Sequence, residues 1–354
     1  MSRINSNFTE TLKKYGNFDF SACYNCGNCT AVCSLTNEEE SFPRNMLRYS
    51  MVGMETEIKS SLKPWLCYYC GDCTTHCPQE AAPGELMMTL RRWLTATYDW
   101  TRLSKIFFTS TLWNVVVYLL IAGGVIYYAA NRAFNLSEII HAGHLFEMFA
   151  IAGVFVIILL PNIIRMWWFV IRKPGHKVSL KDYFKSAGEL FVHMFTQKRS
   201  LGCNDDKLRW FEHFILVIGY LALLFITVFL DWFSTERTWV IISGYVVSAI
   251  VFIVTFHFVI ERIRKKKEVS RHSRSSDWMF VIWLLLMGFT AYLVRMFIDL
   301  ELLEQNVWLY LIHMIVLAQW ALIIVPFGKW THFLYRSFAM YFNRLLQIGN
   351  EAKA

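Results

Sequence analysis

Residues 67–78 read CYYCGDCTTHCP, and residues 23–34 read CYNCGNCTAVCS. Both stretches follow C-x2-C-x2-C-x3-C: Cys23, Cys26, Cys29 and Cys33 are followed by Ser34, and Cys67, Cys70, Cys73 and Cys77 by Pro78. Three thiolates at this spacing fit one tight loop around a cubane of iron and sulfide, and the fourth ligand comes from elsewhere in the chain. In two-cluster domains that fourth cysteine is exchanged between runs. The spacing therefore predicts two [4Fe-4S] clusters, one held by Cys23, Cys26, Cys29 and Cys77, the other by Cys67, Cys70, Cys73 and Cys33. Gly27 and Gly71 occupy the same place in each run, where a loop wrapping a cluster needs permissive backbone. Paired zinc sites are the alternative, but zinc loops use two cysteines per knuckle, and four in each of two matching runs exceed that need.

Outward from the cysteines, the spacer 35–66 carries Pro43 and few β-branched residues, which predicts a helix from Arg44 to about Met51. A second helix is expected from Pro83 or Gly84 to about Ala96. Phe18, Phe20, Trp65, Leu66, Leu86 and Leu90 are the expected core. So few apolar residues leave the clusters to staple the domain. The ninth cysteine, Cys203, reads as an ordinary free thiol. The first residues are polar and the first apolar segment begins near Ile106, so no secretory signal is expected, and the cysteines read as metal ligands in a reducing compartment.

Beyond residue 105 the character of the chain changes. Over its 354 residues, 55% are hydrophobic, 17% aromatic and only 18% charged, which excludes disorder, collagen-like repeats and a purely soluble enzyme. Six segments, near 106–131, 144–171, 212–232, 238–261, 278–298 and 307–327, approach or exceed the roughly 20 helical residues that cross a hydrocarbon core. Tryptophans mark several ends, among them Trp167, Trp210, Trp239, Trp278, Trp308 and Trp330. The expected architecture is all-α: a two-cluster domain over 1–105, a six-span bundle over 106–332 and an amphipathic tail over 333–354. The net charge of +8 gathers in the loops 172–211 and 262–274, which assigns them, both termini and the cysteines to the cytoplasm; it does not point to nucleic acid. Two amphipathic stretches, 180–198 and 334–346, are expected on the inner membrane surface, or in a partner's groove.

Histidines in the membrane half are read by depth. No C-x-x-C-H occurs, because Cys26 and Cys70 are followed by glycine, which excludes covalently attached haem. Non-covalent haem needs paired histidines at one level of a bundle. His213, at the start of the third span, and His332, just after the sixth, both fall at the inner face. His313 lies near the outer end of the sixth span, about 28 Å from His332 if one helix carries both, so that two stacked haems would fit. His144 is its candidate partner, and His257 is an alternative inner ligand; His141 is too far out. His176, His193 and His272 read as surface residues, and His76 as packing beside a cluster. Arg165 and Arg295 suit either haem carboxylates or snorkelling, Arg295 toward Asp299. Glu147 and Asp299 are candidates for proton handling.

Two such cysteine runs joined to a six-span region with His213, His313 and His332 resemble the C-type membrane component of the quinone-interacting membrane-bound oxidoreductase complex. That family looks like the cluster-binding C component of heterodisulfide reductase fused to a nitrate-reductase-gamma-like cytochrome b. The gamma-like cytochromes carry two histidines about ten residues apart on one inner helix; here the residue ten after His213 is Leu223. The resemblance implies electron exchange, through two b haems, between menaquinone in a bacterial or archaeal cytoplasmic membrane and cytoplasmic flavin and iron–sulfur subunits of the A and B type. It further implies service to adenylylsulfate reductase in sulfur metabolism. The residues alone support electron transfer between membrane and cytoplasm. Two alternatives stand beside this: a membrane subunit of a heterodisulfide-reductase-like or sulfite-reductase-linked complex, and a structural anchor with non-redox metal sites.

Overall fold

The computed structural model describes residues 4–16, 22–37, 40–197, 207–228 and 237–351. Phe18, Phe20 and Cys203 lie outside the described residues. Among those described, the chain is helical with no strand.

In the cysteine domain the helix Arg44–Val52 forms as the sequence predicts. It stops at Gly53, whose φ of +81° puts the backbone against Asn5; a Cβ there would meet the Asn5 carbonyl oxygen at 2.0 Å. Trp65, Leu66, Leu86 and Leu90 are buried as expected. Phe8, Leu12, Phe42, Met46 and Ile58 complete a larger core than the composition promised. The helix Pro83–Tyr98 begins on a proline, which suits a first turn whose N–H groups have no helical partner. Most of its residues are buried, Arg91 and Arg92 included, because it lies between the cysteine domain and the bundle.

Among the described residues, six helices are long and apolar enough to cross a membrane. The first expected span divides, because Ser110 is extended and its hydroxyl caps the helix Thr111–Asn131, leaving Leu103–Thr109 as a separate helix. The second starts earlier than expected, at Leu136, since Asn135 caps it. Within it a π-helical turn at Val154–Leu159 runs into Pro161. Proline cannot donate to the carbonyl four residues back, that of Ile157. The Trp100 indole N–H fills the gap, donating to that carbonyl at 2.8 Å. The third, fourth and fifth spans are Lys207–Val228, Thr238–Arg264 and Ser275–Asp299.

The sixth span runs Val307–Gln319, passes a π turn at Trp320–Ile324 ahead of Pro326, and ends at Phe327. Gly328 is extended, and a new helix starts at Thr331. His313 and His332 therefore sit on different helices, which corrects the expectation of one helix serving both.

The fourth and fifth spans meet closely at Gly288, where a Cβ would meet the Phe252 backbone nitrogen at 2.8 Å and Val251 Cγ1 at 3.0 Å. Gly288→Leu is expected to destabilise the bundle by about 1–3 kcal/mol, read as a lower thermal midpoint in detergent. An unchanged midpoint would show that these helices can part there without loss.

The two amphipathic helices, Leu180–Thr196 and Thr331–Glu351, pack on each other, with the Tyr341 hydroxyl donating to the Tyr183 carbonyl at 3.1 Å. The apolar face of the second is covered by protein: Tyr335, Ala339, Phe342 and Leu345 are buried. Trp65 of the cysteine domain packs against Tyr335, the rings tilted by 43° with centroids 5.1 Å apart. An apolar strip supplied by protein satisfies the same periodicity as lipid would. The first keeps Leu180, Phe184 and Phe191 exposed.

Candidate functional site

The two cysteine runs fold as a structural repeat. In each, a residue between the first and second cysteines, Asn25 or Tyr69, has positive φ, and the glycine after the second cysteine follows it into the left-handed region, Gly27 at +95° and Gly71 at +96°. A short helix then begins, Asn28–Ala31 or Asp72–Thr75. Successive left-handed residues turn the chain around a centre, and the glycines adopt them without a Cβ clash. Backbone N–H groups of Asn25 and Tyr69 each donate to the first sulfur of their run at 3.4 Å. Such bonds favour the thiolate and tune a cluster's potential.

Cys23, Cys26, Cys29 and Cys77 line one cavity of about 20 Å³. Cys29 feels Cys23, Cys26 and Cys77 electrostatically, whereas Cys33 feels Cys67 and Cys70. Cys73 joins the second set, with Cys29 the weakest of its sulfur neighbours. The fourth cysteine of each run thus stands with the other run's first three. Among the described residues no three His, Cys, Asp or Glu side chains converge on a point suited to a single ion; the sulfurs of the first set surround a space instead. Burial, then the neighbouring thiols, pushes the Cys73 thiol well above its ordinary pKa. Burial also raises Cys29, Cys33 and Cys67. Iron must displace those protons, so a cluster and the folded loops stabilise each other.

A second cavity, of about 270 Å³, opens between the cysteine domain and the bundle. His213 of the third span and His332 of the C-terminal helix both line it, as their common depth in the sequence predicts. Tyr68 and Tyr69 of the second cysteine run form part of its wall. Trp65, two residues before Cys67, has its ring 6.0 Å from that of His332. Arg91 closes the gap by donating to the carbonyls of Pro64 at 2.6 Å and Cys67 at 2.5 Å. Apolar walls come from Leu216, Leu284, Trp320 and Phe333. A slot with two imidazoles, apolar sides and a polar edge fits a flat, hydrophobic, metal-centred ring.

Beneath the cavity a buried ion network ties the two parts together. Arg92 donates to Glu85 at 3.0 Å and to Asp277 at 2.8 Å, Lys329 pairs with Asp277 at 2.7 Å, and the Tyr69 hydroxyl donates to Glu85 at 2.9 Å. Burial lowers the Arg92 pKa, but the Asp277 and Glu85 carboxylates outweigh it and hold the guanidinium above its ordinary value. Sequence reading missed this network, since its members are far apart in the chain. The one available signal was two charges, Asp277 and Lys329, at the edges of apolar spans.

Other sequence-derived candidates fall out differently. His257 pairs with Glu212 at 2.7 Å and does not line the cavity with His213 and His332. His313 is bonded through Nδ1 to the Thr290 hydroxyl at 2.8 Å. His144 follows Gly143, where a Cβ would meet the Tyr310 hydroxyl at 2.7 Å and Met314 Sδ at 3.0 Å, so His144 and His313 belong to neighbouring helices at one level. His76 bonds the Asp72 carbonyl at 2.9 Å, closing its own short helix. His193 is buried and His272 lines the large cavity, correcting their reading as surface residues, while His176 is exposed. Arg165 donates to the carbonyls of Thr97 and Tyr98 at 3.1 and 2.9 Å, ending the helix Pro83–Tyr98 rather than meeting haem or snorkelling. Arg295 pairs with Asp299, which also accepts from the Tyr245 hydroxyl at 2.6 Å. That carboxylate is engaged, and its proposed proton role loses support.

Residues 22–82, which hold both cysteine runs, match the family model of a 4Fe-4S dicluster domain. Comparisons with curated proteins and with solved structures gave no match. The chain thus carries a 4Fe-4S dicluster ferredoxin domain joined to a helical region with six helices able to span a membrane.

Proposed function

We propose that this protein is the membrane subunit of a quinone-linked electron-transfer complex, with b haem held by His213 and His332 next to the second cluster. The observation that carries this reading is the shared cavity, whose wall is made jointly by the two histidines and by Tyr68 and Tyr69 of the Cys67–Cys77 run. When bound, haem and clusters supply one-electron carriers, so that the two electrons of a quinol can be passed singly. The residues set the order. The set Cys33, Cys67, Cys70 and Cys73 reaches the cavity wall through Tyr68 and Tyr69, the set Cys23, Cys26, Cys29 and Cys77 does not, and Tyr24, Cys26 and Cys70 are exposed. That exposed edge suits a cytoplasmic flavin or iron–sulfur subunit.

A second haem near the outer face, between His144 and His313, is the further part of this proposal, supported by their common level and by the Thr290 bond that leaves Nε2 of His313 for another partner. Glu147 of the second span, close to Tyr310, is the carboxylate left to exchange protons with quinone at that face. Menaquinone as substrate, adenylylsulfate reductase as the eventual partner, and cytoplasmic termini rest on the sequence resemblance and the loop charges.

His332→Ala tests the inner site. The purified protein should lose one b haem by pyridine haemochrome assay, while its iron–sulfur absorbance persists. Full haem content in this variant would overturn the ligand assignment.

A further inference from the structure

The large cavity has more charge than its histidines need. Seven arginine and lysine side chains line it against three carboxylates. All three carboxylates are already engaged: Glu85 and Asp277 in the Arg92 and Lys329 network, and Glu261 with Lys267 at 2.7 Å. Arg336 is only 8% exposed, and its Nε and Nη2 have no hydrogen-bond partner. It stands within electrostatic range of Arg91 and Arg209, both of its own sign. A buried guanidinium with idle donors beside like charges is strongly unfavourable unless an anion completes the site.

The positions of the two arginines are related. Arg209 precedes His213 by one helical turn at the inner end of the third span, and Arg336 follows His332 by one turn on the C-terminal helix. Residues four apart share a helix face, so each histidine and its arginine can address one ligand. Both arginines line the same cavity as their histidines and carry the same charge. The repulsion this creates is relieved by a ligand that offers two anionic groups at one edge and a metal at its centre.

We infer that Arg209 and Arg336 bind the two carboxylates of the haem that His213 and His332 ligate, fixing its charged edge toward the second cluster. This rests on the proposed inner haem. Arg336 also lies within electrostatic range of Cys67, so it is a positioning residue that touches the fields of both carriers. A fixed cation favours the reduced form of each.

The test uses the full-length protein in detergent, with optical redox titration, haem assay and transfer of haem to excess apomyoglobin. Arg336→Gln should lower the midpoint of the inner haem by a tenfold change in its ferric-to-ferrous equilibrium, about 59 mV for one electron. It should also speed haem loss about tenfold. Arg336→Lys keeps the charge but not the two-pronged geometry, so it should restore the midpoint while retention stays weakened. Arg209→Gln should act in the same direction, and the double variant should exceed either. Wild-type midpoint and retention in both glutamine variants would overturn the inference, provided His332→Ala still removes one haem. If His332→Ala keeps its haem, the proposed inner site itself fails. Should Arg336→Gln not accumulate, the lysine variant and Arg209→Gln decide: unchanged haem retention in both refutes the carboxylate assignment.

Discussion

Asp277→Ala is expected to loosen the dicluster domain from the helical bundle. Its carboxylate accepts from Arg92 at 2.8 Å and from the Arg274 backbone N–H at 3.0 Å, and it forms an ion pair with Lys329 at 2.7 Å. All three side chains of the ion cluster are largely shielded from solvent. Removing one partner of such a site leaves the others' charges buried without compensation, and costs about 3–5 kcal/mol. Arg92 would retain Glu85 at 3.0 Å and the Tyr15 carbonyl at 3.1 Å, both within the dicluster domain. The cross-domain bond would be gone. Trypsin reports the change at Arg102, an exposed residue in the short connection between the helix ending at Tyr98 and the one beginning at Leu103. Opening of the interface should raise its cleavage rate by about two to four orders of magnitude if it scales with the lost free energy. Asp277→Asn keeps the shape and two hydrogen-bonding atoms, and should fall between. Wild-type cleavage in both would mean that apolar contacts such as Trp65 against Tyr335 hold the domain unaided.

Cys77→Ala is expected to abolish the first cluster, not the one built on its own run. Cys77 lines the cavity with Cys23, Cys26 and Cys29, and Cys33 stands with Cys67 and Cys70. The variant should therefore lose about half of its cluster iron and match Cys29→Ala by electron paramagnetic resonance. Cys33→Ala should match Cys70→Ala instead. If Cys77→Ala matches Cys70→Ala, each run closes on its own cluster. Loss of one cluster also removes a staple between the runs, so the melting temperature of the domain should fall, and exhaustive chelation should unfold it.

Much of the chain was legible in short stretches. The thiol spacing fixes which loops can wrap a cubane, because three ligands two residues apart depend only on local backbone, and Gly27 and Gly71 supply the positive φ that backbone needs. Span number followed from the length of apolar runs, since a helix must satisfy its own backbone in lipid. Boundaries were less legible. The break at Ser110 and the early start at Leu136 depend on single capping side chains, and the break at Gly328 separates two helices that hydropathy alone would join. Amphipathicity left two readings open for 334–346, because the pattern states that one face avoids water and not whether lipid or protein covers it.

By itself the sequence determined the two cysteine sets, the six spans and the depth at which His213 and His332 could meet. Only the tertiary structure decided that these histidines share one cavity with the second cysteine run, that His257 turns to Glu212, and that Arg92 reaches Asp277 across 185 positions of chain. The physical reason is range. Ligand spacing, helix caps and partition from water act over a few residues, while a buried charge selects its partner only after packing has excluded every other source of compensation.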